Sequence, residues 1–75
     1  MQRQFKVILE WDIEGQAYHV SVPALPGCVT FATNKEMALE RIQEAIEGHL
    51  ESLKDAGLAI PPGDIEIAEV HVNHA

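Results

Sequence analysis

One long segment of the chain, residues 33–57, places its apolar positions at helical spacing. Steps of three and four gather these positions on one broad face. They are Ala38, Leu39, Ile42, Ala45, Ile46, His49, Leu50, Leu53 and Ala56. Thr33 followed by Glu36 matches a capping box, and Gly57 suits the left-handed conformation that ends a helix. The two prolines that follow prevent any continuation. The pattern predicts one amphipathic helix over residues 33–57.

Before this helix, the apolar pattern changes to a period of two residues. Residues 4–12 alternate with Phe5, Val7, Leu9 and Trp11 on one face, which predicts a strand. Residues 17–22 alternate in the same way and predict a second strand. Between them, Glu14-Gly15-Gln16 is a turn candidate in which Gly15 can take positive φ. The two strands are predicted to form a hairpin.

A rigid connector and a third strand lead from the hairpin to the helix. Residues 23–27 contain two prolines, which stop ladder pairing, and Pro26-Gly27 is a strong type II turn signal. Residues 28–32 are β-branched and aromatic, and they predict a short strand. The third strand therefore delivers the chain directly to the start of the helix.

After the helix, the sequence predicts an ordered turn over residues 58–64 and a last strand over residues 65–72. The alternation of this strand is inconsistent, because Ile65 and Ile67 share one phase and Val70 and Val72 the other. Either a bulge near residues 68–69 corrects the phase, or both faces of the strand are partly covered. Residues 73–75 are expected to be a tail.

The element order β-β-β-α-β predicts one α+β domain with two layers that spans residues 1–75. A right-handed crossover gives the sheet order 3-2-1-4, with strands 1 and 4 parallel. A single helix covers only one face of such a sheet, so the other face and two strand edges stay open. Open edges and an uncovered face favour pairing with another chain. The sequence therefore predicts a homodimer or a higher homo-oligomer.

The face of the helix opposite the apolar positions is acidic. Its members, which we call the acidic helix face, are Glu36, Glu40, Glu44, Glu47, Glu51 and Asp55. Carboxylates four residues apart repel one another by a few tenths of a kcal/mol per pair. One interpretation is a solvated surface built from a good helix former; the other is a docking surface for a basic partner. A second acidic cluster, the hairpin patch, consists of Glu10, Asp12 and Glu14.

Charge and composition limit the possible binding partners and the possible cellular locations of the protein. Five basic and twelve acidic residues give a formal charge of −7, which argues against direct nucleic-acid binding and fits a basic protein partner. The single cysteine, Cys28, excludes an internal disulfide. Charges interrupt the N-terminal segment, and no apolar run has the length of a signal-peptide core or a membrane span. A cytoplasmic protein is expected.

The connector and the helix after it resemble a known family. The stretch YHVSVPALPGCVTFATNKEMALERIQEAIEGHLESLKDAGLAIPP is similar to the HicB-like antitoxin domain of the UPF0150 type. In that family a tyrosine strand leads into a V-P-x-L-P-G-C turn, a helix rich in E-A-I and a closing G-x-x-I-P. The turn residues here are Val22, Pro23, Leu25, Pro26, Gly27 and Cys28. The resemblance covers roughly residues 5–72 and implies a partial ribonuclease-H-like unit.

The resemblance also implies a role. HicB-like antitoxins bind and block a small basic HicA-type toxin that cleaves messenger RNA. Many of them carry a C-terminal helix-turn-helix or ribbon-helix-helix domain that binds the operator, and this chain is expected to be a stand-alone copy without one. The alternative is a stand-alone structural or regulatory homo-oligomer that has no toxin partner.

Metal-dependent nuclease chemistry needs carboxylates that converge on one point. Glu10 and Asp12 share a strand face, but Glu47 belongs to the acidic helix face and is expected to point away from the sheet. No convergent constellation can be assembled, so the sequence predicts no catalytic residue, no metal, no cofactor and no enzyme activity.

The remaining candidate residues are predicted to be structural. His71 and His74 lie near the end of the chain, where too few ligands are present for a zinc site. His49 is predicted at the edge of the core, and Cys28 is predicted to be a small buried thiol. Trp11 is predicted to be a core residue, or an interface anchor if its neighbours leave it exposed.

Overall fold

The computed structural model describes residues 4–62 and 65–74, which contain three strands and one helix. The strands are β1 (Ile8–Asp12), β2 (Ala17–Ser21) and β3 (Val29–Ala32), and the helix is α1 (Lys35–Asp55). They form an antiparallel sheet of order β1-β2-β3, and α1 packs on β2 and β3. The predicted α+β class and the β-β-β-α order are confirmed.

The strand register sorts the side chains onto two faces. Leu9 is opposite Val20, and Val20 is opposite Thr30, so these three residues share the face that α1 covers. Val20 is fully buried there. His19 lies between its cross-strand partners Glu10 and Phe31 on the other face, which α1 does not cover. We call this second face the uncovered face.

The core between sheet and helix is small. Its buried members are Val20, Val22, Leu25, Cys28, Ala32, Ala38 and Ile42. Half-buried apolar side chains extend it on both sides, among them Phe5, Val7 and Leu9 from the β1 segment and Ala45, Ile46 and Leu50 from α1. Leu39 and Ala56, which the pattern assigned to the apolar face of the helix, are exposed. In a core this small, removing one buried side chain takes away a large share of the total stability.

The connector between β2 and β3 inserts every third residue into the core. The N–H of Leu25 donates to the carbonyl of Val22, and the N–H of Cys28 donates to the carbonyl of Leu25, each at 3.0 Å. Val22 and Cys28 close the loop with a further bond of 3.2 Å. Gly27 has φ 86°, the left-handed value that a type II turn requires after Pro26. Two consecutive turns thus bury Val22, Leu25 and Cys28 side by side.

The N-terminus of α1 differs from the prediction. The N-cap is Asn34, not Thr33, and its side-chain oxygen accepts the N–H of Met37 at 2.8 Å. The predicted capping box of Thr33 and Glu36 is therefore wrong. Asn is as good an N-cap as Thr, and a cap one residue later places Met37 where the box needs a glutamate.

The C-terminus of α1 ends as predicted. Gly57 has φ 71° and follows the C-cap residue Ala56. The N–H of Gly57 donates to Lys54 at 3.0 Å, and the N–H of Leu58 donates to Leu53 at 2.9 Å. This pair of bonds is a Schellman motif, which satisfies the last carbonyls of the helix.

The hairpin turn uses different residues than predicted. Gln16, not Gly15, has positive φ, at 51°. Asp12 accepts the N–H of Glu14 at 3.1 Å through its Oδ1 atom. A Cβ atom on Gly15 would lie 2.7 Å from the other carboxylate oxygen of Asp12. A side chain at position 15 would therefore have to displace the exposed Asp12 carboxylate, and the positive φ of the turn lies at the next residue.

The predicted fourth strand is not part of the sheet. Residues 65–74, which we call the C-terminal arm, form no strand within the described part of the chain, and the sheet has three strands rather than the order 3-2-1-4. Neither face of the arm collects all of its apolar residues, so the sequence specifies the register of this segment only weakly. Gly63 and Asp64 of the predicted turn, and Ala75 of the tail, lie outside the described residues.

Candidate partner-binding surfaces

The acidic helix face lies on the side of α1 that points away from the sheet. Ala38 and Ile42 are buried against the strands, whereas all the carboxylates of the acidic helix face are exposed. A helix rises about 1.5 Å per residue, so the carboxylates form a row about 28 Å long between Glu36 and Asp55. The period of 3.6 residues produces this arrangement directly from the sequence.

Basic side chains of the described residues do not neutralise this row. Within the described ranges, Nδ1 of His19 lies 3.8 Å from the Glu10 carboxylate, and no cationic side chain lies within 4.0 Å of a carboxylate of the acidic helix face. Arg41, which lies on the flank of the helix, instead donates from Nη1 to the carbonyl of Phe31 at 2.8 Å. Lys54 stands in the last turn of α1, where a cation complements the helix dipole. The carboxylates therefore face solvent together.

The hairpin patch is a different kind of surface. Glu10, Asp12 and Glu14 are all exposed, but Asp12 holds the turn through its bond to the N–H of Glu14. The carboxylate of Glu10 lies 3.8 Å from Nδ1 of His19. The structural role of Asp12 was not predicted, although an aspartate that starts a turn commonly bonds a backbone N–H two residues later. The strand register puts Glu10 and Asp12 on the uncovered face, on the opposite side of the sheet from α1.

Exposed apolar side chains also mark the uncovered face. Phe31 is 56% exposed and Val29 is 47% exposed. The Phe31 ring packs against His19 at a centroid distance of 5.0 Å, and Ile8 lies on the same face. The prediction of an open sheet face is specific enough to include Ile8, but it does not extend to Val29 and Phe31. The alternation around Thr30 could have shown them, because they take the phase opposite to Ala32.

Trp11 lies at the end of the sheet face that carries α1. It is half exposed, and it meets the ring of Tyr18 edge-on at a centroid distance of 5.0 Å and an interplanar angle of 65°. The first interpretation of Trp11, as a core residue, is wrong. The helix packs on β2 and β3, and the outer strand β1 keeps one side of this ring in solvent.

The described residues offer little that resembles a catalytic centre. Burial raises the pKa of the Cys28 thiol, which keeps it protonated at neutral pH and makes it a poor nucleophile. Glu10 and Asp12 lie on the opposite side of the molecule from Glu47 and do not converge with it. Among the described residues, no group of three His, Cys, Asp or Glu side chains is placed to hold a metal ion.

The histidines of the C-terminal arm, His71 and His74, are exposed. His49 is half-buried and lines a cleft of about 410 Å³ between the start of β3 and the C-terminal half of α1. Gly48 faces this cleft, and a Cβ atom there would meet nothing within 4 Å.

Within the described residues, no helix is both long enough and apolar enough to cross a membrane.

Comparison with known proteins adds a family to these surfaces. The model of a family described as the HicB_like antitoxin of bacterial toxin-antitoxin system matches residues 5–74. A UPF0150 protein of Thermoplasma acidophilum is 44% identical over 68 residues, which cover 91% of this chain and 97% of the relative. A UPF0150 protein of Synechocystis is 32% identical over 68 residues, which cover 91% and 85%. No solved structure matches.

Proposed function

Because this chain belongs to the HicB-like antitoxin family, we propose that it is an antitoxin-type module that binds and masks a small basic HicA-type toxin. The observation that supports this proposal is the acidic helix face. It offers a row of exposed carboxylates, free of ion pairs within the described residues, on a protein with a formal charge of −7. Complementary potentials of this kind accelerate association and select for a basic partner.

The mechanism is steric and electrostatic. A protein that cleaves RNA binds the phosphates of its substrate through lysine and arginine side chains. A row of carboxylates can occupy the same side chains in place of phosphates and keep RNA away from them. The repulsion between neighbouring carboxylates, a few tenths of a kcal/mol per pair, is relieved when cations of the partner come between them.

The acidic helix face suits this role better than the hairpin patch. Asp12 already serves the hairpin turn, and Glu10 lies beside His19. The carboxylates of α1 have no such local partner within the described residues and stand on a rigid 21-residue helix. A rigid surface loses little conformational entropy on binding. We assign binding to the acidic helix face and treat the hairpin patch as the rival surface.

The first experiment tests whether a partner exists. An open reading frame for a small basic protein beside the gene would identify the candidate toxin. The two proteins are mixed at low salt and separated by size-exclusion chromatography, and the toxin is then assayed on labelled RNA with and without this protein. We expect co-elution and loss of RNA cleavage. Separate elution at low salt would remove the antitoxin assignment for that pair. In the same assay with Mg²⁺ or Mn²⁺, this protein alone should not cleave RNA.

The second experiment locates the surface with two variants of equal charge change. Glu44→Lys with Glu47→Lys alters the acidic helix face, and Glu10→Lys with Glu14→Lys alters the hairpin patch. We expect the first variant to weaken toxin binding at least about tenfold at low salt, since close charge pairs at interfaces contribute 1.5 kcal/mol or more. The second variant should change the affinity by less than about twofold. The reverse result would move the interface to the hairpin patch.

A second candidate function is that of a structural or regulatory homo-oligomer in the cytoplasm without a toxin partner. The observation that favours it is the uncovered face, where Phe31 and Val29 stay half exposed. Exposed aromatic residues on a sheet face are typical of protein contacts. The proposed antitoxin is itself expected to be such an oligomer, so the two functions are separated by toxin binding and not by the oligomeric state.

A further inference from the structure

A single copy of this chain exposes more surface than a compact protein of the same mass. A compact monomer of 8.3 kDa exposes about 4,600 Å², whereas this chain exposes 6150 Å². Its radius of gyration is 14.5 Å, against about 11 Å for a compact domain of 75 residues. The excess surface is about 1,600 Å² relative to that scaling law, a third more than expected. Part of the chain therefore extends away from the body.

The C-terminal arm is the extended part. Residues 66–74 are exposed along their whole length, and only Ile65 is half-buried. Ile67 is 55% exposed, Val70 83% and Val72 77%. Exposed β-branched residues at near-alternate positions are typical of a strand that lacks its neighbour. Each such side chain gains about 1.5–3 kcal/mol when it is fully buried, so the arm has a strong tendency to pack on something.

The open edge of β1 is the matching surface. β1 pairs with β2 along one edge, and within the described residues no strand pairs with its other edge. The edge presents a row of unpaired N–H and C=O groups over Ile8–Asp12. Phe5 and Val7, just before β1, pack half-buried against the core and extend the apolar surface beside this edge.

We propose that the C-terminal arm adds as a strand to the β1 edge of a second copy of this chain, and that two copies exchange their arms reciprocally. The arm of each copy can occupy the β1 edge of the other, so a two-fold axis satisfies both arms at once, while the outer edge of β3 stays open within the described residues. Backbone hydrogen bonds provide the affinity, as in other cases of strand addition. The inference does not depend on toxin binding.

The side chains of the arm fit this position on both faces of the sheet. Next to β1, Ile65 and Ile67 would extend the row of Val7 and Leu9 on the helix side. After the phase change, Val70 and Val72 would lie on the uncovered face. The irregular alternation of the arm therefore matches an edge position at which both faces offer apolar neighbours. The resulting sheet has the order 3-2-1-4 predicted from the sequence, with the fourth strand supplied by the other chain.

The expected interface area and the proline segment before the arm both favour pairing of the arm with β1 of a second copy rather than with β1 of its own chain. If the exchange buries the excess of about 1,600 Å² from each chain, the interface totals about 3,200 Å², a size typical of obligate homodimers. Pro61 and Pro62 lie between α1 and the arm. Consecutive prolines hold a chain extended, so this hinge opposes a tight return of the arm to its own β1.

The first test is the mass of the full-length protein by light scattering, together with two proline variants. We expect a dimer of twice 8.3 kDa. Only alternate residues of an edge strand donate their N–H to the neighbouring strand, so Ile67→Pro and Ala68→Pro should differ sharply. One of them should raise the dimer dissociation constant at least about tenfold more than the other, while the fold of the body persists by circular dichroism. A monomer at millimolar concentration, or two proline variants without effect, would overturn the proposal.

The second test identifies the chain to which each arm belongs. Chains labelled with ¹⁵N and chains labelled with ¹³C are mixed, unfolded and refolded together. Isotope-filtered NMR should show contacts between the arm methyl groups of one label and the β1 protons of the other. Contacts confined to one label would show that each arm closes its own sheet, and an arm without contacts would leave it available for a different partner. Either outcome would refute the exchange.

Discussion

The acidic helix face should lower the stability of the free protein, and replacing one of its members should reveal by how much. Glu40 is flanked four residues away by Glu36 on one side and Glu44 on the other. All three side chains are exposed, and no cation of the described residues pairs with them. Glu40→Lys converts both repulsive pairs into attractive pairs and leaves the buried face of the helix unchanged.

The magnitude follows from the two pairs. Each like-charged pair costs and each opposite pair gains about 0.2–0.5 kcal/mol, so reversing the sign of two pairs is worth about 1 kcal/mol and at most about 2 kcal/mol. For a domain of this size, 1 kcal/mol raises the melting temperature by about 4–8 °C. Glu40→Gln removes the repulsion without adding attraction, and it should give about half the effect. Added salt screens both terms.

The assay is urea denaturation of the wild type, Glu40→Lys and Glu40→Gln in about 20 mM and about 500 mM salt, where the Debye length falls from tens of ångströms to a few. We expect both variants to be more stable than the wild type at low salt, with Glu40→Lys the more stable of the two. The difference should shrink at high salt. A variant that is equally stable or less stable at low salt would show that the carboxylates do not repel one another, and the physical motive for a basic partner would be lost.

Three further predictions concern the body of the domain. Leu25→Ala should cost about 2–5 kcal/mol by denaturation, which is a large part of the total for a chain this short, and a loss below 1 kcal/mol would show that the connector does not anchor the core. Gly57→Ala should destabilise the domain by about 1 kcal/mol because Gly57 has φ 71°, whereas the matched change Gly48→Ala should stabilise it by about 0.5–1 kcal/mol; equal signs would contradict the Schellman geometry. Burial raises the pKa of Cys28, so iodoacetamide should label the native protein far more slowly than the unfolded chain. Because the folded state favours the thiol, stability should fall as pH rises above the unfolded pKa of about 8.5, and a Cys28→Ala variant should lack this decline.

The family relationship supports the proposed antitoxin role, and the structure supports the choice of α1 as the binding surface. The family model matches residues 5–74, so membership of the HicB-like antitoxin family applies to nearly the whole chain. The structure adds that the carboxylates share one solvent-exposed face of α1, while the hairpin patch is partly committed to a turn. Toxin binding and arm exchange use different surfaces, α1 and the β1 edge, so their experiments can fail independently.

Local patterns in the sequence determined most of the elements. The helix was predicted because its apolar positions repeat every three to four residues, and its C-terminus because Gly57 permits the left-handed conformation. The hairpin and the turn at Pro26-Gly27 follow from alternation and from the fixed φ of proline. These features depend on neighbours within a few positions along the chain, which is why the sequence alone was sufficient. The acidic helix face was visible for the same reason.

Two effects decided the remaining features of the structure. Neighbouring residues compete for the same role, and some contacts join residues that are distant in sequence. Asn34 and Thr33 are both good caps, and the helix starts at Asn34, whose side-chain oxygen accepts the N–H of Met37. Gly15 was expected to supply positive φ, but Gln16 takes that conformation instead. The C-terminal arm has a strand-like composition but no strand, because a strand exists only beside an edge that accepts it. Whether that edge is available depends on the folded molecule and its partners, which no pattern along the chain records.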